Sequence, residues 1–154
     1  MSQSLSQIWI HIVYSTKDRS PFFKNPIILQ KVHDYMQAIC RKQNCVSTAI
    51  GGTADHVHLL VNLNKNLSLS QLVEQIKKST SKWIKTLLEI DSDLKNFYWQ
   101  RGYGAFSVSQ SNLADVKRYI ENQQTHHKKF NYQDELRQFL IKHGVHYNEE
   151  YLWD

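Results

Sequence analysis

A β-branched and aromatic run at residues 7–15, apolar residues at helical spacing in two later segments, and a Gly-Gly pair between two short apolar runs predict an α+β fold. Gln7 to Ser15 (QIWIHIVYS) alternates only in part, but its residue types suit a pleated, half-buried strand. Pro21 and Pro26 punctuate the connector that follows. From Ile27 to Gln43, the residues Ile28, Val32, Tyr35, Met36 and Ile39 share one face of a helix. Val46 to Ile50 and His56 to Leu63 read as strands, joined into a hairpin by the turn Gly51-Gly52-Thr53-Ala54-Asp55. Ser68 or Ser70 caps the next helix, whose apolar face carries Leu72, Val73, Ile76, Trp83, Ile84 and Leu87. Ala105 to Ser109 supplies a fourth strand. The order β-α-β-β-α-β is that of a ferredoxin-like core, also the layout of RRM modules, with helices on one face of an antiparallel sheet. Beyond it the pattern predicts a helix over Asn112 to His127 and another around Asp134 to Lys142, stopped at Gly144. Tyr147 to Asp154 either docks or frays.

With 154 residues and 41% hydrophobic content, the chain suffices for one packed domain over residues 1–154 and is short for two. A formal charge of +5 favours a polyanionic partner, for which nucleic acid is the natural candidate. No run approaches the ~18 apolar residues that span a bilayer, and the start Met1-Ser2-Gln3-Ser4 has no signal core, so no membrane partner and a cytoplasmic location are expected. Cys40 and Cys45 lack a second pair to form a zinc site and read as reduced structural thiols. His126 and His127 would point about 100° apart on a helix, so a solvated helix end is expected there rather than a shared ion.

Four polar residues stand out from this background. Successive strand side chains point to opposite faces, so His56 and His58 share a face while Val57 turns away, and both imidazoles can reach one ion. Tyr119 and Gln123 lie one helical turn apart on one face. A strand with two ligands can thus meet a helix with a nucleophile and a third ligand. A single histidine on a strand is usually a satisfied polar residue, and a single tyrosine on an amphipathic helix is usually core. Two imidazoles buried in an apolar strand without partners would cost roughly 1–3 kcal/mol each, so the combination calls for a partner.

The segment Asp55 to Val61 (DHVHLLV) resembles the His-hydrophobic-His motif of HUH endonucleases, and Lys117 to Gln123 (KRYIENQ) resembles the tyrosine helix of their smallest branch. That branch is the single-tyrosine HUH transposases, which move insertion sequences as single strands. Thr16-Lys17-Asp18-Arg19, the central Trp99-Gln100-Arg101-Gly102-Tyr103 and the overall length fit it too. The resemblance implies that His56, His58 and Gln123 hold Mg²⁺ or Mn²⁺ and that Tyr119 attacks single-stranded DNA, giving a 5′-phosphotyrosine and a free 3′-hydroxyl. It also implies excision and insertion of an insertion sequence without ATP, hairpins at the element ends as the DNA partner, and a homodimer.

Candidate DNA contacts are Lys17 and Arg19 after the first strand, Lys77, Lys78 and Lys82 on the second long helix, and Arg101. Trp99, Tyr103 and Phe106 are candidates for base stacking or for core. Two rival readings stand beside this one. A non-enzymatic RRM-type module draws on Arg101-Gly102-Tyr103-Gly104, which begins like an RNA-binding signature that then breaks at Ala105. An HUH replication initiator or relaxase usually needs a longer chain.

Overall fold

The computed structural model describes residues 2–154. Four strands, β1 (Trp9–Ser15), β2 (Val46–Gly52), β3 (His56–Asn62) and β4 (Gly104–Val108), form one antiparallel sheet in the order β2-β3-β1-β4. This arrangement is the expected ferredoxin-like core. Alternation sends Ile10, Ile12 and Tyr14 of β1 and Val57, Leu59 and Val61 of β3 to one face, where they pack against the two long helices α1 (Pro26–Lys42) and α2 (Leu69–Ile84). The Asn25 side chain caps α1, with Pro26 in its first turn. Ser68, not Ser70, caps α2, in a capping box with Gln71.

The opposite face carries His11, Val13, His56, His58 and Leu60, and three C-terminal helices cover it: α3 (Leu113–Glu121), α4 (Gln123–His126) and α5 (Tyr132–Lys142). An RRM module stacks bases on an open sheet face. Here that face is occupied by helices, so the RRM reading loses its platform.

Two expectations change at the ends of these elements. The single helix expected over Asn112–His127 is divided at Asn122, whose φ of −97° and ψ of 17° depart from helical values. Gly51 and Gly52 end β2 instead of forming the turn, and Gly51 is where α3 comes closest. A Cβ at Gly51 would stand 2.3 Å from the Ile120 carbonyl oxygen, so only glycine lets the Tyr119 helix sit this low on the sheet. Gly144, at φ +65°, ends α5 as expected.

The C-terminal segment docks on the chain itself. The Asp154 carbonyl accepts from the backbone N–H groups of Arg101 at 3.1 Å and Gly102 at 3.2 Å, and the Trp153 ring lies under Arg19 at 5.5 Å and Arg137 at 4.9 Å. Cys40 and Cys45 are free and buried, and burial pushes the Cys40 thiol up to about 12. Among the described residues no helix is long and apolar enough to cross a membrane.

Candidate active site and metal centre

The register of the sheet sets the histidine pair. His56 opens β3 opposite Ser15, and His58 lies opposite Val13, so both rings enter the space beneath α3 and α5, each at most 1% exposed. His56 Nδ1 donates to Asp55 Oδ1 at 2.7 Å. With its proton held there, His56 Nε2 presents a lone pair to Gln123 Oε1, 3.0 Å away. Two acceptors facing each other at that distance repel unless a cation or a proton lies between them. Asp55 in turn is held below the usual carboxylate range: burial raises its pKa, but hydrogen bonds from His56 and Thr53 and the charges of His56 and His127 together outweigh that.

The centre of the site is a residue the sequence reading did not select. Glu135, on α5 and 4% exposed, places Oε1 2.8 Å from His58 Nε2 and 3.7 Å from His56 Nε2. Its Oε2 lies 3.1 Å from His127 Nε2 and 3.2 Å from His126 Nε2, and it accepts from the Gln123 amide at 3.3 Å and from the Tyr119 hydroxyl. Burial raises the pKa of this carboxyl, yet hydrogen bonds from His127 and His58 prevail and hold it well below the usual range. Metal-ligating atoms of His56, His58, His127 and Glu135 lie within 4.8 Å of one another, a set of buried nitrogen and oxygen donors that fits a divalent ion. His127 Nδ1 donates to the Phe130 carbonyl at 2.6 Å, which fixes its Nε2 toward the cluster.

Tyr119 meets the histidines of its own chain. Its ring centroid is 5.8 Å from that of His58, and its hydroxyl lies 3.3 Å from His126 Nε2. Burial and the Glu135 charge push the phenol well above its ordinary pKa, so the proton stays on the oxygen in this arrangement. Behind the pair, His11 on β1 places Nε2 2.7 Å from His58 Nδ1. His58 is pulled down to about 4, chiefly by burial, and His11 is lowered by the same cause.

The structure therefore brings together His56, His58, Tyr119 and Gln123, and adds Glu135, His127 and His11. The solvated helix end expected at His126 and His127 is corrected: both rings turn to Glu135, whose Oε2 meets the Nε2 atoms of both. A signal for Glu135 was present in the chain. Tyr132, Leu136, Phe139 and Leu140 mark an apolar helical stripe, and Glu135 stands inside it.

The basic residues divide. Lys77 is engaged within the chain: its ammonium donates to the carbonyls of Gln100, Arg101 and Gly102 at 2.8, 3.1 and 2.8 Å and so holds that loop. Arg19 is half-buried over Trp153, whereas Lys17, Lys78, Lys82 and Arg101 are exposed. Trp99 and Phe106 are core, and Tyr103 is exposed.

Comparison with known proteins places this geometry. Residues 4–123 match the family described as "Transposase IS200 like". The transposase for insertion sequence element IS200 of Salmonella typhimurium (strain LT2) is 29% identical over 118 residues, covering 73% of this chain and 74% of that protein, and the Salmonella typhi protein matches to the same extent. Among solved structures, a candidate transposase from Deinococcus radiodurans R1 superposes with a TM-score of 0.60 at 21% identity, covering 80% of this chain and 98% of that one. A REP-associated tyrosine transposase bound to a REP hairpin gives 0.57 at 18% identity, covering 82% and 74%. The matched segment ends at Gln123, so His127 and Glu135 lie beyond it. With three-quarters of its length inside that match, the chain belongs to the IS200-like transposases and is an enzyme of DNA strand cleavage and transfer.

Proposed function

We propose that Tyr119 is the nucleophile of a single-strand DNA transposase whose divalent ion is held by His56, His58 and Gln123, with Glu135 completing the donor set. The observation that carries this reading is the convergence of ligating atoms of His56, His58, His127 and Glu135 within 4.8 Å of one another, with Gln123 Oε1 3.0 Å from His56 Nε2. Two imidazoles, an amide oxygen and a carboxylate suit Mn²⁺ and tolerate Mg²⁺. When bound, such an ion polarises the scissile phosphate and neutralises charge that develops on its oxygens.

The chain's own groups do the rest. Asp55 holds the His56 proton at Nδ1, and Glu135 Oε2 orients the Tyr119 hydroxyl. The Tyr119 oxygen forms a bond to phosphorus as the P–O3′ bond breaks, and its proton passes to His126 Nε2, 3.3 Å from the hydroxyl. The 3′-oxygen leaves and takes a proton to become a 3′-hydroxyl, while the 5′ side stays esterified to Tyr119. Attack by another 3′-hydroxyl reverses the step and joins new ends, the basis for excision and insertion of an insertion sequence.

Hairpin-forming single-stranded DNA is the partner we assign, supported by the hairpin-bound relative and by exposed Lys17, Lys78, Lys82 and Arg101. Its place of action is then the cytoplasm. One chain supplies Tyr119, the histidine pair and Glu135 to this site, and a homodimer is the assembly that the family resemblance implies. Incubation with Mn²⁺ and labelled single-stranded DNA spanning the gene's flanks tests the reading. A covalent band on a denaturing gel that vanishes in Tyr119→Phe supports it, and a band that persists in that variant removes it.

A further inference from the structure

A cavity of about 770 Å³ opens beside Tyr119 and Glu135. Its walls include His126, Phe130, Gln138 and Phe139. Phe130 is 54% exposed, and its ring stacks on His126 at 5.2 Å with 23° between the planes. Phe139 stands edge-on to Tyr119 at 5.7 Å. Phe130 thus offers an aromatic surface to solvent beside the nucleophile. The volume lies within the roughly 300–1,000 Å³ of small-molecule sites.

Chemistry restricts the occupant. Whatever is attached to the phosphorus that Tyr119 attacks must lie against the surfaces around its hydroxyl, and in DNA those groups are the two neighbouring nucleosides. We propose that this cavity holds the nucleobase adjacent to the scissile phosphate, stacked on the exposed face of Phe130 with its polar edge toward Gln138. The inference rests on the reading of Tyr119 as the DNA nucleophile. Stacking on an aromatic ring is sequence-tolerant because every base offers a π-face, while the Gln138 amide offers a donor and an acceptor to a base edge. Phe130, Gln138 and Phe139 all lie beyond the residues that match the family, so this is a feature of the chain's C-terminal segment.

The test uses single-stranded DNA whose cut phosphate has been mapped with the wild-type protein, remade with an abasic site on one side of that phosphate or the other. One of the two abasic substrates should form the Tyr119 adduct roughly tenfold more slowly. Phe130→Ala should lose a similar factor on intact DNA and nothing further on that abasic DNA, and Phe130→Trp should restore the rate. A second readout needs no chemistry: 2-aminopurine at the sensitive position should be quenched on binding to Tyr119→Phe protein and released when Phe130→Ala is added. Equal rates for both abasic substrates, or the same Phe130→Ala loss on intact and abasic DNA, overturn the inference while an adduct still forms. Absence of any adduct from the wild type removes the nucleophile reading and this inference with it. The comparison of the two abasic substrates and the quenching of 2-aminopurine both use intact Phe130, so they decide even if the alanine variant fails to fold.

Discussion

Glu135 Oε1 lies 2.8 Å from His58 Nε2, a contact between residues 77 positions apart that joins the C-terminal helix to the histidine strand. The other oxygen of the same carboxylate receives the Tyr119 hydroxyl. One buried side chain thus ties the metal-ligating atoms to the nucleophile.

Glu135→Gln keeps the shape of this side chain and removes its charge. If Glu135 completes the ion's donor set, the variant should bind Mn²⁺ at least roughly tenfold more weakly, read as free Mn²⁺ by electron paramagnetic resonance. Tighter binding in Glu135→Gln would show that the carboxylate competes with the ion.

His11 reaches the ion only through His58, whose Nδ1 it meets at 2.7 Å. Groups that orient a ligating imidazole in this way typically contribute about 10–100-fold to metal affinity. His11→Ala should show a loss in that range by the same titration with circular dichroism unchanged. Wild-type affinity would mean that His11 is only a satisfied polar residue.

Gly51→Ala tests how α3 is seated. The new Cβ would meet the Ile120 backbone oxygen at 2.3 Å, so the helix bearing Tyr119 must move. Overpacking of this kind costs about 1–3 kcal/mol, and a shift on the order of 1 Å at a nucleophile lowers rates about a hundredfold. Urea unfolding and adduct rate should both fall; an unchanged rate would show that α3 can shift without consequence.

How much of this was legible in the sequence depends on range. The His56 and His58 pair, Tyr119 and Gln123 are readable because strand and helix periods place them without knowledge of the rest of the chain. The chain order β-α-β-β-α-β is legible from local patterns in the same way, as is a serine cap on α2 at Ser68 or Ser70, which the structure places at Ser68. Glu135 is not marked by any short motif: its role comes from the docking of α5 on the sheet, visible beforehand only as an acid within the stripe Tyr132, Leu136, Phe139 and Leu140. His126 and His127 were misread because helical geometry was extended past Asn122, where the helix breaks. Lys77 looked free since nothing local shows that the 100–102 loop returns its carbonyls to α2.

Tyr14 offers a stability test away from the site. Its hydroxyl is buried with no hydrogen-bond partner among the described residues, and its ring packs against Trp99 at 5.0 Å. Removing an unsatisfied hydroxyl while keeping the ring should be neutral or stabilising by up to about 1 kcal/mol. Tyr14→Phe in urea unfolding checks this, and a clear loss of stability would reveal a partner for the hydroxyl.

The most direct measurement is peptide mapping by mass spectrometry after reaction with single-stranded DNA and Mn²⁺, followed by nuclease trimming. The account predicts a nucleotide mass on the peptide containing Tyr119, attached through the tyrosine oxygen and absent from Tyr119→Phe. A nucleotide on another residue, or on none while the DNA is cut, would contradict it.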